Sequence, residues 1–228
     1  MTLTRNHTNI VVLLSTAFIT ILGREKNTLQ REQQYISGIN QIVDYCSFKG
    51  VDIAISDNTI TLDTILPDSV NVVIDKIDNS RRFFFNENKY GQVNKGAGLL
   101  AQWKYCLPYL RNKYSYVVHY EPRHFINSFS FFDLCLNNKE NVFRLDSPIV
   151  YKYGFFPYKY KHFQTGLIGA NITTLVDFSN QQDVRLMVES SLSIEDLLYK
   201  FLIKNKLKFN CVKKLGLIWH SEQGDMEI

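Results

Sequence analysis

Glu195 and Asp196 stand side by side just after Ser193, at the start of a segment with helical spacing. A carboxylate so placed can take a proton from an attacking hydroxyl. The same acids also suit a plain helix start. Ser193 followed by Asp196 resembles a capping box, and negative charge is favourable at the positive end of a helix dipole. Glu121 and Arg123 follow the apolar run 116–120. An acid at a strand end can hold a divalent cation or orient a sugar hydroxyl; the alternative is a surface ion pair. His220 follows the apolar run 215–219 and can ligate a metal or a diphosphate oxygen.

The run Asn94-Lys95-Gly96-Ala97-Gly98 precedes a helical pattern. Free backbone N–H groups and the helix dipole favour an anion there, Lys95 adds a charge, and glycines permit close backbone approach. Neither GxxxxGK[ST] nor GxGxxG is present. Residues 151–163 are rich in Tyr, Phe and Lys, which suits sugar stacking, an anionic lipid surface or packing between loops. The other histidines, His7, His119, His124 and His162, show no HExxH or HxH spacing. A GxSxG elbow and a Cys-His nucleophile signature are also missing.

These groups need elements to carry them. The run 10–14 reads as a buried strand and 28–48 as a helix stopped by Gly50. The run 51–56 reads as a second strand ending in the polar turn Asp57-Asn58-Thr59. Strand, helix and strand at this spacing form a βαβ unit with a parallel sheet. A third short apolar run, rich in β-branched residues, spans 70–74, and a polar stretch follows over 75–90. Helical spacing returns over 99–110, then a strand over 116–120. Later come a short helix over 128–136, a strand over 142–145, a strand or turn over 164–170, helices over 172–180 and 194–206, and a final strand within 209–220. In open α/β sheets ligands lie at the carboxyl ends of the strands. That rule singles out Ser15-Thr16, Asp57-Asn58, Glu121 and His220.

The chain has 228 residues, enough for one domain with its own core, and 11 Gly and 5 Pro leave no linker to divide it. A net charge of +4 permits an anionic ligand or an acidic membrane surface without requiring nucleic acid. Cys46, Cys106, Cys135 and Cys211 make no metal-finger spacing and read as buried small hydrophobes. The apolar stretch 10–22 is too short to span a bilayer, which needs about 20 residues, and no small-x-small cleavage site follows it. The expected location is cytoplasmic, with peripheral contact at the inner face of a membrane.

In order, these features resemble a GT-A glycosyltransferase of the small bacterial type that builds surface polysaccharide or lipopolysaccharide. The resemblance rests on a first strand ending in Ser15-Thr16, a helix with Arg31-Glu32-Gln33-Gln34-Tyr35, and a strand ending in Asp57-Asn58-Thr59. It continues in Asn94-Lys95-Gly96 at a helix start, the strand 116–121, Thr165-Gly166 and the late helix with Glu195-Asp196. It implies an α/β fold with a mainly parallel central sheet flanked by helices. It implies that Thr16 and Asp57, with Asn58, hold the base and ribose of a nucleotide-sugar donor, a UDP-sugar first. Asn94, Lys95 and Gly96 would face the diphosphate or donor sugar, and Thr165 and Gly166 would complete the substrate site.

Glu121 falls where such enzymes carry an Asp-x-Asp metal motif, but here only one acid is present. Either Glu121 and His220 share Mn²⁺ or Mg²⁺, or Arg123 and Lys95 neutralise the leaving diphosphate without metal. Glu195 would be the base of an inverting transfer to a glycan or lipid-linked acceptor, with Asp196 as its rival. Two other readings stay open. One is a nucleotidyltransferase, of whose early basic glycine loop Gly23-Arg24 is a thin version. The other is a non-catalytic carbohydrate-binding or scaffold protein of a glycan assembly complex.

Overall fold

The computed structural model describes residues 9–19, 28–152, 156–221 and 224–228. Gly23, Arg24 and His7 lie outside them, as do the side chains of 150–158, Trp219 and His220. The first half alternates strand and helix: β1 (Ile10–Thr16), α1 (Thr28–Lys49), β2 (Asp52–Asp57), α2 (Asp68–Ile74), β3 (Arg82–Phe84), α3 (Lys95–Leu110) and β4 (Tyr116–Tyr120). There follow β5 (Phe125–Ile126), α4 (Ser130–Asn138), β6 (Val142–Asp146), β7 (Ile149–Lys152), β8 (Phe156–Lys159) and β9 (His162–Asn171). The chain ends with α5 (Ile172–Gln181), α6 (Val184–Glu189), α7 (Ile194–Lys204), β10 (Asn210–Val212), β11 (Leu217–Ser221) and β12 (Gly224–Glu227).

A seven-stranded sheet in the order β10-β6-β9-β4-β1-β2-β3 forms the centre. Every pairing in it is parallel except the two made by β9, which runs against both β4 and β6. β1 is buried along its whole length, as its unbroken apolar run requires of a central parallel strand. Its even-numbered side chains Ile10, Val12 and Leu14 pack with Tyr35, Ile39, Ile42 and Cys46 of α1. Val11 and Leu13 pack on the other face with Leu100, Trp103 and Leu107 of α3. Helices on both faces of one sheet give a three-layer α/β architecture. A smaller sheet, β12-β11-β5, lies beside it, and β7 and β8 form a hairpin.

Several elements differ from the sequence-based expectation. The run 70–74 is helical rather than extended: after Pro67, Val70, Val73 and Ile74 are buried at helical spacing while Val72 is exposed. The third parallel strand is instead β3, inside the stretch that reads as polar. Part of the aromatic segment 151–163 belongs to the β7–β8 hairpin. The final strand is broken into β10 and β11, and α6 has no counterpart in the expected elements. Cys46, Cys106 and Cys135 are buried, and burial raises the thiols of Cys106 and Cys135 to about 12; Cys211, against expectation, is exposed. Among the described residues no helix is long and apolar enough to cross a membrane.

Candidate functional site

The parallel strands deliver Thr16, Asp57 and Tyr120 to one edge of the sheet, and α1 and α3 begin at that edge because each connects parallel strands. The strand order turns back between β4 and β1, so a crevice is expected there. The polar groups around it fall into two kinds, those consumed by the fold and those left facing outward.

Thr16, Asp57 and Asn58 are of the first kind. Asp57 is fully buried, and its carboxylate accepts from the backbone N–H of Phe18 at 2.9 Å and from the Thr59 N–H and hydroxyl at 2.7 and 2.6 Å. Thr16 donates its hydroxyl to the Ser56 carbonyl at 3.3 Å. The Gln102 amide donates to the Thr16 carbonyl at 2.7 Å and to the Asn58 side chain at 3.2 Å. Asn58 in turn donates to the Gly98 carbonyl. These bonds fasten the segment after β1 to β2 and α3. The polar atoms of Thr16, Asp57 and Asn58, the residues expected to hold a base and ribose, are thus engaged within the chain itself.

The start of α3 is similar. Asn94 caps the helix by accepting from the Ala97 N–H, and its amide donates to the carbonyls of Met187 and Leu192. Its side chain therefore ties α3 to α6 and to the turn before α7. Gly96 serves the same contact: a Cβ there would come within 3.0 Å of Ile194, so its bare backbone is covered by α7. Lys95 is exposed beside them.

The turn after β4 holds an ionic cluster. The Arg123 guanidinium donates from Nε at 2.8 Å, and from a terminal nitrogen, to Glu121. His124 Nε2 lies 3.6 Å from the other carboxylate oxygen. Burial works to raise the Glu121 pKa, but Arg123 and His124 outweigh it and hold the carboxyl well below its usual range. The same ion pair raises Arg123 further. Tyr35, buried in α1, lies against Arg123, and its hydroxyl accepts from the Ala17 N–H at 3.0 Å and from Arg31 at 3.2 Å. α1 reaches this turn because Gly38 has no side chain; a Cβ would overlap the Pro122 carbonyl. Tyr120 clamps the turn by donating to the His124 carbonyl.

The opposite wall is built on β9 and α7. The Glu121 N–H donates to the Gly166 carbonyl at 2.8 Å, which brings Thr165 beside the turn. Thr165 donates its hydroxyl to Glu195 Oε1 at 2.9 Å, and Ser193 donates to Oε2 at 2.7 Å. Glu195 is thus partly exposed yet fixed by two neutral hydroxyls. Asp196 is buried, donates its backbone N–H to the capping Ser193 hydroxyl, and pairs with Lys200 at 2.5 Å. The two neighbouring acids thus differ in exposure and in partners. Beneath them lies His119, edge-on to Trp103 with ring centroids 5.2 Å apart; burial pulls its pKa down to about 4, so it is neutral.

His220 lies in β11, two residues beyond Ile218, which pairs with Phe125. Its backbone therefore runs toward the Glu121–His124 turn. A divalent cation fits this set poorly. Glu121, the one acid at the turn, is already neutralised by Arg123, and among the described residues no three His, Cys, Asp or Glu side chains converge on a common point.

Together, the structure gathers Glu121, Arg123, Thr165, Gly166 and Glu195 and sets Thr16, Asp57, Asn58, Asn94, Gly96 and Asp196 into the frame. Gln102, His119 and Tyr35 went unpredicted as site neighbours. Gln102 and Tyr35 sit at apolar positions of helical patterns, and a polar group on a core stripe is the signal that could have found them. A hollow of about 480 Å³ between Lys104 of α3 and the start of α6 at Asp183, Val184 and Arg185 is separate from these groups.

No known family profile matches the chain, and no curated protein matches it by sequence. Solved structures do match. A 4-diphosphocytidyl-2C-methyl-D-erythritol synthase from Anaerococcus prevotii superposes with a TM-score of 0.53 at 13% identity, covering 97% of this chain and 91% of that one. A Desulfovibrio desulfuricans protein assigned as a nucleotide-diphospho-sugar transferase gives 0.53 at 9% identity, covering 90% and 80%. The mannosyltransferase Ktr4p from S. cerevisiae, in complex with GDP, gives 0.52 at 13% identity, covering 89% and 69%. The fold is GT-A-like. At these identities the likeness concerns the fold alone; its mainly parallel sheet and flanking helices are those the sequence resemblance implies.

Proposed function

We propose that this protein transfers a glycosyl group from a nucleotide-diphosphate sugar to a hydroxyl of a glycan or lipid-linked glycan. One arrangement carries the reading. Glu195, a partly exposed carboxylate oriented by two hydroxyls, shares an edge of a GT-A-like fold with the Arg123 guanidinium. Glu195 takes the proton from the acceptor hydroxyl as its oxygen attacks the anomeric carbon. The bond from that carbon to the diphosphate oxygen breaks, and its electron pair leaves with the nucleoside diphosphate. Attack opposite the leaving group inverts the anomeric centre. Glu121 and Tyr35 engage part of the Arg123 guanidinium, and its remaining N–H donors, with Lys95, stabilise the developing charge.

In this scheme side-chain cations do the work that Mn²⁺ or Mg²⁺ would do, so turnover persists in EDTA. UDP-sugars are the first donors to test. Surface polysaccharide or lipopolysaccharide precursors are the first acceptors, met from the cytoplasmic side at the membrane face. Purified protein is incubated with nucleotide sugars and acceptor extracts, and released nucleoside diphosphate is measured. Absence of both binding and turnover with every nucleotide sugar overturns the proposal.

The similarity to a diphosphocytidyl-methylerythritol synthase supports a second reading, nucleotidyl transfer. The products separate the two. Nucleotidyl transfer from a nucleoside triphosphate releases pyrophosphate, whereas glycosyl transfer releases a nucleoside diphosphate.

A further inference from the structure

The geometry points to a nucleoside-binding groove on the outer face of α1, on the far side of Arg123 from Glu195. This inference rests on the transferase reading and gives it a donor subsite. Gln30, Gln33, Gln34 and Ser37 fall at i, i+3, i+4 and i+7 of one helix and so on one face. That face and the turn carrying Arg123 and Phe125 enclose a groove of about 310 Å³. Gly38 forms its floor by letting the helix abut the Pro122 backbone. Among the described residues, Gln33, Gln34 and Ser37 make no side-chain hydrogen bond, and Gln33 and Ser37 are exposed. Phe125 is 40% exposed and offers a ring face.

The lining matches an uncharged ligand joined to an anion. A glutamine amide presents a donor and an acceptor in one plane, the pattern that reads the edge of a nucleobase. An aromatic face can stack on a base. The one charged group in the lining is Arg123, and a phosphate attached to the nucleoside belongs beside it.

Two further observations assign the groove to the donor rather than the acceptor. In an in-line displacement the attacking oxygen and the leaving group lie on opposite sides of the transferred carbon. Glu195 is on the β9–α7 wall, so the acceptor approaches from there and the nucleoside diphosphate departs toward Arg123 and α1. At the ends of β1 and β2, where the resemblance would seat a base, the Asp57 carboxylate is engaged by the chain's own Phe18 and Thr59.

Photolabelling tests the location. The full-length protein is irradiated with azido derivatives of UDP, GDP and ADP, with and without excess unmodified nucleotide, and the labelled peptide is identified by mass spectrometry. Competable label within residues 28–38 or 123–127 is the expected result. A Gln33→Leu/Gln34→Leu variant, altered at one exposed and one half-buried position, keeps its melting temperature and binds nucleotide about tenfold more weakly. Label within residues 16–19 or 57–60, with unchanged affinity in the variant, overturns the groove while leaving the transferase reading intact. Absence of competable label with all three probes, together with no nucleotide-induced shift in melting temperature, overturns both.

Discussion

Asp57 and Glu195 are both carboxylates at the same edge of the sheet, and the molecule uses them in opposite ways. Asp57 is sealed from solvent and accepts from two backbone N–H groups and a hydroxyl of its own chain. Glu195 is partly exposed and held by two side-chain hydroxyls, each of which leaves lone pairs free on the carboxylate. On the proposed mechanism, the contrast is that between a frame acid and a working one. Backbone donors spread over two segments make a carboxylate part of the fold, while neutral side-chain donors aim it without neutralising it.

The largest expected effect tests the working acid. Glu195→Gln keeps the shape and one oxygen to accept from Thr165 or Ser193, with the other hydroxyl turned to accept from the new amide, but removes the base. Turnover is expected to fall by about 10²- to 10⁴-fold, with donor affinity and melting temperature nearly unchanged. Steady-state kinetics beside donor titration reads both. Turnover within about threefold of the parent would remove the β9–α7 wall from the chemistry.

The frame acid should show the reverse. Asp57→Ala leaves the Phe18 and Thr59 N–H groups without their acceptor and is expected to cost about 3 kcal/mol, read from the urea midpoint. Glu195→Ala, at a position open to water, should cost under about 1 kcal/mol. Equal losses from the two would erase the distinction.

His119 supplies a test of the shared floor through pH. Burial lowers its folded-state pKa from 6.5 to about 4, so the unfolded chain binds its proton more readily than the folded one. Stability is therefore full above pH 6.5 and falls as pH drops from 6.5 toward 4, by about 3 kcal/mol in all. Chemical denaturation across that range should show the loss, and His119→Phe should flatten it. Glu121 acts at lower pH: its depressed pKa gives stability that is present above its unfolded value and is lost as pH falls below it.

Much of the frame is legible in the sequence because local pattern dictates it. The unbroken apolar run of β1, the helical spacing of Tyr35, Ile39, Ile42 and Cys46, and Gly50 with its φ of +67° each act within a few residues. The short runs mislead. Val70–Ile74 has strand-like residue types, but its burial spacing depends on what α2 packs against. The site is less legible for the same reason. Sequence marks Asp57 and Glu195 alike as acids at element ends. What divides them is Phe18 folding back over β2 and Thr165 arriving on an antiparallel strand, contacts across 39 and 30 positions. Arg123 beside Glu121 is local and readable; Tyr35 and Gln102 reach the site through tertiary packing alone.

The smallest expected effect sharpens the comparison within one helix turn. Asp196 follows Glu195 directly, yet helical geometry turns it toward the buried side, where it meets Lys200 one turn on. Lys200 is 66% exposed, so water screens the pair and Asp196→Asn should cost only about 0.5 kcal/mol. The Ser193 cap survives, because the bond it accepts comes from the Asp196 backbone N–H. Turnover should then stay within about twofold of the parent. A collapse of turnover in Asp196→Asn, with only a mild loss in Glu195→Gln, would exchange their roles. It would mean that the acid buried by packing, rather than the one aimed by hydroxyls, meets the acceptor.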